Sequence, residues 1–208
     1  MGRYRGPTDR ISRALGVNLG LKGKRNEAGK TAIQKGRPRP GQHGLARQKV
    51  SEYGLRLREK QKLRFLYGLY EKQFKKYYEK ASTSKGVTGE TLVQLLETRL
   101  DNIVYRMKYA TTRSQARQYV GHGHILVDGK KLDIASYHVK VGQTISVKAA
   151  SHTFVKAELE GYTGSAIPTW ISVNENDLSG QVLTVPVRDE IDTFNFIKEN
   201  LIVEFYSK

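Results

Sequence analysis

The segment TRSQARQYVGHGHILVDGKKL, residues 112–132, decides what this chain can fold into. Thr112 followed three residues later by Gln115 is the signal of a capping box, which begins a helix. We expect that helix to end at Gly121. The Asp-Gly pair at 128–129 lies between two apolar stretches, which predicts a two-residue hairpin turn between short strands.

The same segment is rich in cationic and histidine side chains. Arg113 and Arg117 are four residues apart, so both are expected on one exposed helix face. The predicted turn brings the other donors to the same rim: His122, His124, Lys130 and Lys131. Such a rim suits the sugar-phosphate edge of structured RNA, where recognition is mostly of shape and backbone. Two histidines without an evident third ligand make a weak metal site, so we predict no bound metal and no cofactor.

Apolar residues at helical spacing predict two helices before this segment. One runs over residues 51–80, begins at the N-cap Ser51 and buries a stripe of tyrosines. The other covers residues 92–107, after a small polar break at 81–90. Basic side chains along the first helix are candidate RNA ligands: Arg56, Arg58, Lys60, Lys62 and Arg64. After the hairpin, residues 137–147 alternate as a strand does.

The first 50 residues combine glycine, proline and basic residues and are expected to be irregular. Residues 1–80 carry 22 basic and 6 acidic side chains. This part is either a disordered basic arm or an arm that becomes ordered on phosphates. Its candidate RNA ligands are Arg3, Arg5, Arg37, Arg39, His43, Arg47 and Lys49.

The overall charge points to a polyanionic partner, since 36 Lys and Arg face 20 Asp and Glu, a net charge of +16. The chain has no cysteine, which excludes disulfides and thiolate metal sites. No apolar run predicts a membrane span or a secretory signal, so a cytoplasmic protein is expected.

Residues 148–208 reverse the balance, with 5 basic and 9 acidic side chains. An acidic surface repels phosphate and suits a basic protein partner instead. A helix over residues 189–200 is also predicted, with acids in its first turn. The candidate protein contacts are Asp189, Glu190, Asp192, Glu199 and Glu204.

A family resemblance covers nearly the whole chain. RLDNIVYRMKYATTRSQARQYVGHGHILVDGKKLDIASYHVKVGQTISV (99–147) resembles the RNA-binding module named after small-subunit ribosomal protein four. That module also occurs in pseudouridine synthases, tyrosyl-tRNA synthetases and heat-shock RNA binders. The flanks resemble the bacterial and organellar ribosomal protein four family itself: RYRGP (3–7), PGQHG (40–44), SEYGLRLREKQKLRFLYG (51–68), QFKKYYEKA (73–81) and LIVEFYSK (201–208).

The resemblance implies an α+β fold: a basic irregular N-terminal arm (1–50), a helical domain (51–90, completed by 189–208) and an inserted mixed α/β RNA-binding module with a small antiparallel sheet (91–188). Within the module it adds Gln118 and Tyr137 to the expected RNA contacts. Many relatives bind zinc through four cysteines, which this chain lacks, so zinc is not expected. Gln143 stands where an acidic residue is common, and we expect the exchange to affect the turn more than binding.

The family function implied is structural rather than enzymatic. Its members bind small-subunit rRNA at a multi-helix junction and help to nucleate assembly of the subunit. They contact proteins five and three of the small subunit, influence decoding accuracy and line the mRNA entry channel. Some repress translation of their own operon.

Two alternatives stay open from the residues alone. The first is an RNA-modifying enzyme, because RLD at 99–101 is similar to the catalytic-aspartate motif of pseudouridine synthases. We expect Asp101 instead to be a polar-face residue within an amphipathic helix. The second is a DNA-binding protein, which the charge permits although no recognition-helix pattern is present.

Overall fold

The computed structural model describes residues 4–46, 49–164, 166–191 and 196–207. The chain forms two compact units, one of Met1–Leu92 with Thr193–Lys208 and one of Val93–Asp192. Helices and one five-stranded antiparallel sheet are both present, so the predicted α+β class is confirmed. The expected domain borders at 50, 90 and 188 stay predictions. No helix among the described residues is both long and apolar enough to cross a membrane.

Helices make up the regular structure of the first unit. They are α1 (Thr8–Leu15), α2 (Lys24–Glu27), α3 (Glu52–Leu66), α4 (Glu71–Thr83) and α9 (Glu199–Ser207), and α5 (Thr88–Glu97) crosses into the second unit. The expectation of an irregular first 50 residues was wrong at α1. Pro7 precedes its first turn, the left-handed Gly16 ends it, and Ile11 is buried.

The single helix predicted over residues 51–80 was also wrong, because the structure divides it. After α3, Gly68 adopts a left-handed φ of 62°. Leu69 N donates to Arg64 O at 2.9 Å, which closes a Schellman end before α4 begins. The N-cap is confirmed, since the Ser51 hydroxyl accepts from the backbone N–H of Gly54 at 3.2 Å. Most of the predicted apolar stripe is buried: Leu63, Leu66, Tyr67, Phe74 and Tyr77.

The second predicted helix, over residues 92–107, is interrupted too. α5 ends at Glu97 and α6 (Leu100–Arg106) follows, while Arg99 between them is extended. The backbone there pairs with a distant segment, because Leu100 N donates to Tyr137 O at 2.8 Å. Asp101 is therefore not a polar-face residue, as had been expected. It is buried and holds Arg99 through two hydrogen bonds of 3.0 and 2.6 Å.

The second unit packs short helices on the sheet. Its further elements are α7 (Arg113–Gly121), β1 (Ile125–Val127), β2 (Lys130–Lys131), β3 (Thr144–Val147), α8 (His152–Leu159), β4 (Ile171–Asn174) and β5 (Ser179–Val182). The strand order is β2-β1-β3-β5-β4, with every pair antiparallel. One apolar core holds the unit together and includes the buried Trp170. The strand expected over 137–147 forms only at β3.

Local signals at α7 and the hairpin are confirmed. Thr112 Oγ1 accepts from the backbone N–H of Gln115 at 3.1 Å, which is the N-cap half of a capping box, and the Gln115 side chain accepts from Thr111 N at 2.8 Å. Asp128 and Gly129 have φ of 48° and 76°, the two positive values of a type I′ turn. The helix predicted over residues 189–200 is wrong, because Arg188–Glu190 is a 3-10 turn and α9 begins only at Glu199.

Gln143 organises the turn region beside the hairpin. Its amide nitrogen donates to Asp128 Oδ2 at 2.8 Å, and its amide oxygen accepts from Lys140 N at 2.9 Å and from the Tyr137 hydroxyl at 3.2 Å. Asp128 also accepts from Thr144 N at 2.9 Å. A glutamine can both donate and accept here, whereas an ionised acid only accepts.

We expect Gln143→Glu to lower the free energy of unfolding at pH 7 by about 1 kcal/mol, because the donor to Asp128 is replaced by a second negative charge. At acidic pH the loss of unfolding free energy should be smaller, because the protonated carboxyl group introduced at position 143 can again donate a hydrogen bond to Asp128. Urea denaturation at both pH values measures this. Gln118→Glu, on the exposed side of α7, is the charge-matched control. Equal losses in both variants would contradict the role assigned to Gln143.

Candidate nucleic-acid interface

The end of α7 fixes the backbone at the centre of the candidate interface. Gly123 N donates to Val120 O at 2.9 Å, and His124 N donates to Tyr119 O at 3.0 Å. These two bonds form a Schellman motif around Gly123, whose φ is 74°. The helix does end at Gly121, as predicted, but the left-handed glycine that stops it is Gly123 and not Gly121.

Lys131 from the hairpin lies across this glycine. A Cβ atom added to Gly123 would overlap Cε of Lys131, so the close approach depends on glycine. On the other side, Lys148 N donates to His124 O at 2.8 Å. We call His122, Gly123, His124, Lys131 and Lys148 together the Gly123 rim. Lys148 was missed from the sequence, where it lies beyond the segment that resembles the module.

The two histidines of the rim differ in their surroundings. Their ring centroids are 6.0 Å apart, His122 is exposed and His124 is half-buried. His124 Nδ1 pairs with the Ser151 hydroxyl at 2.9 Å. Burial lowers the pKa of His124, and the nearby His122 and Lys148 lower it further. His124 is therefore neutral near pH 7 and serves as a hydrogen-bonding group, while Lys131 and Lys148 supply the charge.

Arg113 has a different setting from the exposed face that was expected. Its Nε donates to Asn102 Oδ1 at 2.8 Å, and its guanidinium carbon lies 4.4 Å from the Tyr105 ring centroid. Arg117 is likewise half-buried, whereas Gln118 and Lys130 are exposed. Arg113 thus holds α7 against α6, and the expectation that Arg113 lies on an exposed helix face was wrong. Its role in RNA binding stays a prediction.

The basic side chains of α3 are engaged within the first unit. Lys60 is only 4 % exposed, and its ammonium lies 2.8 Å from Glu71 Oε2. Arg64 approaches the same carboxylate at 3.6 Å, and Arg56 Nε lies 2.7 Å from Glu204 Oε2. Lys62 pairs with Glu59 at 2.6 Å, and Arg58 is half-buried.

Glu71 is the acceptor at the centre of this group. Burial alone would raise its pKa, but hydrogen bonds from Lys60 and Tyr206 outweigh burial and lower it. Burial and the Glu71 carboxylate both raise the pKa of the Tyr206 hydroxyl. Four of the α3 cations therefore neutralise acids of their own unit: Arg56, Lys60, Lys62 and Arg64.

The exposed cations of the first unit lie elsewhere. Four lysines of α4 are exposed, and no acid lies within ion-pairing distance of them in the part of the chain that the structure describes: Lys72, Lys75, Lys76 and Lys80. They were missed from the sequence. Their spacing opposite the buried Phe74 and Tyr77 could have identified them.

The arm keeps most of its candidate ligands exposed: Arg5, Arg37, Arg39, His43 and Lys49. Arg13 Nη1 donates to Pro38 O at 3.1 Å and so holds the proline-containing segment near α1. Arg3, Arg47 and Asp192 lie outside the described residues. In the module, Tyr137 is half-buried.

The acidic candidates divide into two groups. Asp189 and Glu190 are exposed on the 3-10 turn. Glu204 holds Arg56, and Glu199 is buried against Gly89, where an added Cβ would come within 2.9 Å of Glu199 Cγ. In the described ranges no three His, Asp or Glu side chains come close enough together to hold a metal ion.

Arg113→Ala should lower the free energy of unfolding by about 1–3 kcal/mol, because Asn102 loses its charged donor inside the fold. Lys130→Ala, which removes an exposed cation from β2, should stay within about 0.5 kcal/mol of the parent. Urea denaturation followed by circular dichroism measures both. Two equally small effects would mean that Arg113 does not anchor α7.

Comparisons with known proteins agree with this architecture. The family model described as "Ribosomal protein S4/S9 N-terminal domain" matches residues 3–97, and the model described as "S4 domain" matches residues 98–145. Over the full length of both chains, this protein is 50 % identical to small ribosomal subunit protein uS4A of Symbiobacterium thermophilum. It is 48 % identical to protein uS4 of Gloeobacter violaceus and 47 % identical to that of Natranaerobius thermophilus, again over the full length of both. The chain therefore belongs to the family of small ribosomal subunit protein uS4.

Proposed function

We propose that this chain is a structural rRNA-binding protein of the small ribosomal subunit. The observation that carries the proposal is the Gly123 rim, where Lys131 and Lys148 flank a backbone motif that is fixed by the fold. The rim itself contains no acidic side chain, and the Asp128 carboxylate in the adjoining turn accepts from the Gln143 amide and Thr144 N. Relatives named as small ribosomal subunit proteins support the same location.

Charge outside the module supplies the sequence-independent part of the binding. The exposed cations of the arm and of α4 can each neutralise a phosphate and release counterions. The α3 cations contribute less, because Glu71 and Glu204 already accept their hydrogen bonds and ion pairs. We therefore propose that, among the helices of the first unit, α4 rather than α3 provides the main RNA contacts.

A non-enzymatic role is part of the proposal. The residue that suggested a pseudouridine synthase, Asp101, is buried and bonded to Arg99 through both carboxylate oxygens. A catalytic carboxylate must reach its substrate, and this one is committed to an internal ion pair. That commitment, together with relatives that are ribosomal proteins by name, favours the structural role.

Further partners follow from the family resemblance and remain proposals. Protein five of the small subunit is the proposed neighbour of the acidic 3-10 turn. Of the five acidic residues considered from the sequence, Asp189 and Glu190 are the proposed contacts, because both are exposed. Protein three and the mRNA at the entry channel are proposed near the arm, where Lys49 is exposed. Early assembly, decoding accuracy and repression of the operon are proposed on the same ground.

Affinity for transcribed small-subunit rRNA should fall steeply with salt, by about 0.7–0.9 log units per decade for each neutralised phosphate. Replacing Lys72, Lys76 and Lys80 together by Ala should reduce that slope by about 2 to 3 units. Arg56→Ala, checked for folding by its melting temperature, is the control and should leave the slope nearly unchanged.

Duplex DNA of matched length, titrated at the same salt, distinguishes rRNA binding from general polyanion binding. The proposal requires tighter binding to the rRNA. A flat salt dependence, equal affinity for DNA, or an equal drop of the slope in the Arg56 variant would contradict it.

A further inference from the structure

Phe154, on α8, is an aromatic ring that the fold orients but does not cover. Its residue surface is 40 % exposed. The ring makes nearly perpendicular contacts with His124, at a centroid distance of 5.0 Å, and with Tyr119, at 5.5 Å. Burial of a phenylalanine is favourable and these contacts fix the ring in place, so the exposed part is a preformed apolar surface.

The charge around this ring is asymmetric. One ring neighbour, His124, belongs to the Gly123 rim and lies beside His122 and Lys148, which both affect its pKa. The acidic neighbour Glu158 is one helical turn further along α8, near Tyr119, where after burial it contributes to raising the pKa of that hydroxyl. The cationic side of Phe154 is therefore the side of the rim.

An aromatic ring beside a row of cations is how proteins hold unpaired nucleotides. The cations follow the phosphates, and the ring stacks on a base. In a continuous A-form helix the bases are stacked on each other and their faces are not available, whereas loops and bulges expose them. The phosphates of a duplex could bind the cations of the rim, but a duplex exposes no base face that could stack on Phe154.

We propose that Phe154 is the stacking platform for an unpaired rRNA nucleobase whose adjacent phosphates lie on the Gly123 rim. The inference rests on the proposed rRNA binding and deepens it, because it specifies the RNA element as a loop, bulge or junction strand. Stacking depends little on salt, whereas the phosphate contacts depend on it strongly. The two parts of the site can therefore be measured separately.

The test uses the full chain and transcribed bacterial small-subunit rRNA, titrated over a range of salt. Phe154→Ala should weaken binding by about 5- to 150-fold with an unchanged salt slope. Phe154→Leu keeps apolar bulk against Tyr119 and should also bind more weakly, whereas Phe154→Tyr keeps the ring and should bind like the parent. Lys148→Ala is the complementary variant and should reduce the slope by about 0.7–0.9.

Chemical probing of nucleotide flexibility locates the base. The parent chain should protect at least one unpaired nucleotide that stays reactive with the Phe154→Leu variant, while protections of paired regions stay the same. Parental affinity and protection in the Leu variant would overturn the stacking proposal, and so would an equal loss in the Tyr variant. Failure of the parent chain to prefer rRNA over DNA would instead contradict the proposed function.

Discussion

The buried pair of Glu97 and Arg106 is the constraint on which the arrangement of α5, α6 and α7 depends. The Glu97 carboxylate is fully buried and accepts from Arg106 at 2.9 and 2.7 Å. Asn102 adds two hydrogen bonds to the same residue, one to its carboxylate at 2.7 Å and one to its carbonyl at 2.9 Å. Burying such a pair carries a desolvation cost, but removing one partner leaves an uncompensated charge in the core. The pair therefore restricts how α5 and α6 can be arranged.

This arrangement reaches the candidate interface through one side chain. The Asn102 amide donates to Glu97 and its oxygen accepts from Arg113, so α7 is tied to the buried pair. α7 in turn ends at the Schellman motif around Gly123, which positions both histidines and leaves room for Lys131. A surface fixed in this way loses little conformational entropy when it binds. Most residues of the basic segment 35–44 are exposed, so we expect this segment to contribute charge to binding and less shape selectivity.

Features with a local cause could be predicted from the sequence. Ser51 and Thr112 each cap a helix by accepting from a backbone N–H group three residues further along the chain. The Asp128-Gly129 turn depends only on the backbone conformation of its own two residues. The breaks at Gly68 and Arg99 could not be found by periodicity, because apolar residues keep helical spacing across both. At Arg99 the reason is a long-range one: the backbone pairs with the segment around His138.

The candidate site was predictable only where neighbours in the sequence build it. His122, His124 and Lys131 come from one short segment and do meet around Gly123. Charge spacing on α3 could not show whether solvent or an acid faces the cations, and the acid that holds Arg56 lies 148 residues away in the chain. Phe154 was missed for a similar reason, since only the fold brings α8 beside the end of α7.

The central claim is that the protein builds the Gly123 rim before any RNA binds. Amide hydrogen exchange of the free chain tests this at Gly123 and His124, whose N–H groups close the Schellman motif. The account predicts strong protection of both amides without RNA, and loss of that protection in a Glu97→Gln variant whose β3 amides stay protected. Exchange of both amides at unfolded-chain rates in the free parent protein would contradict it.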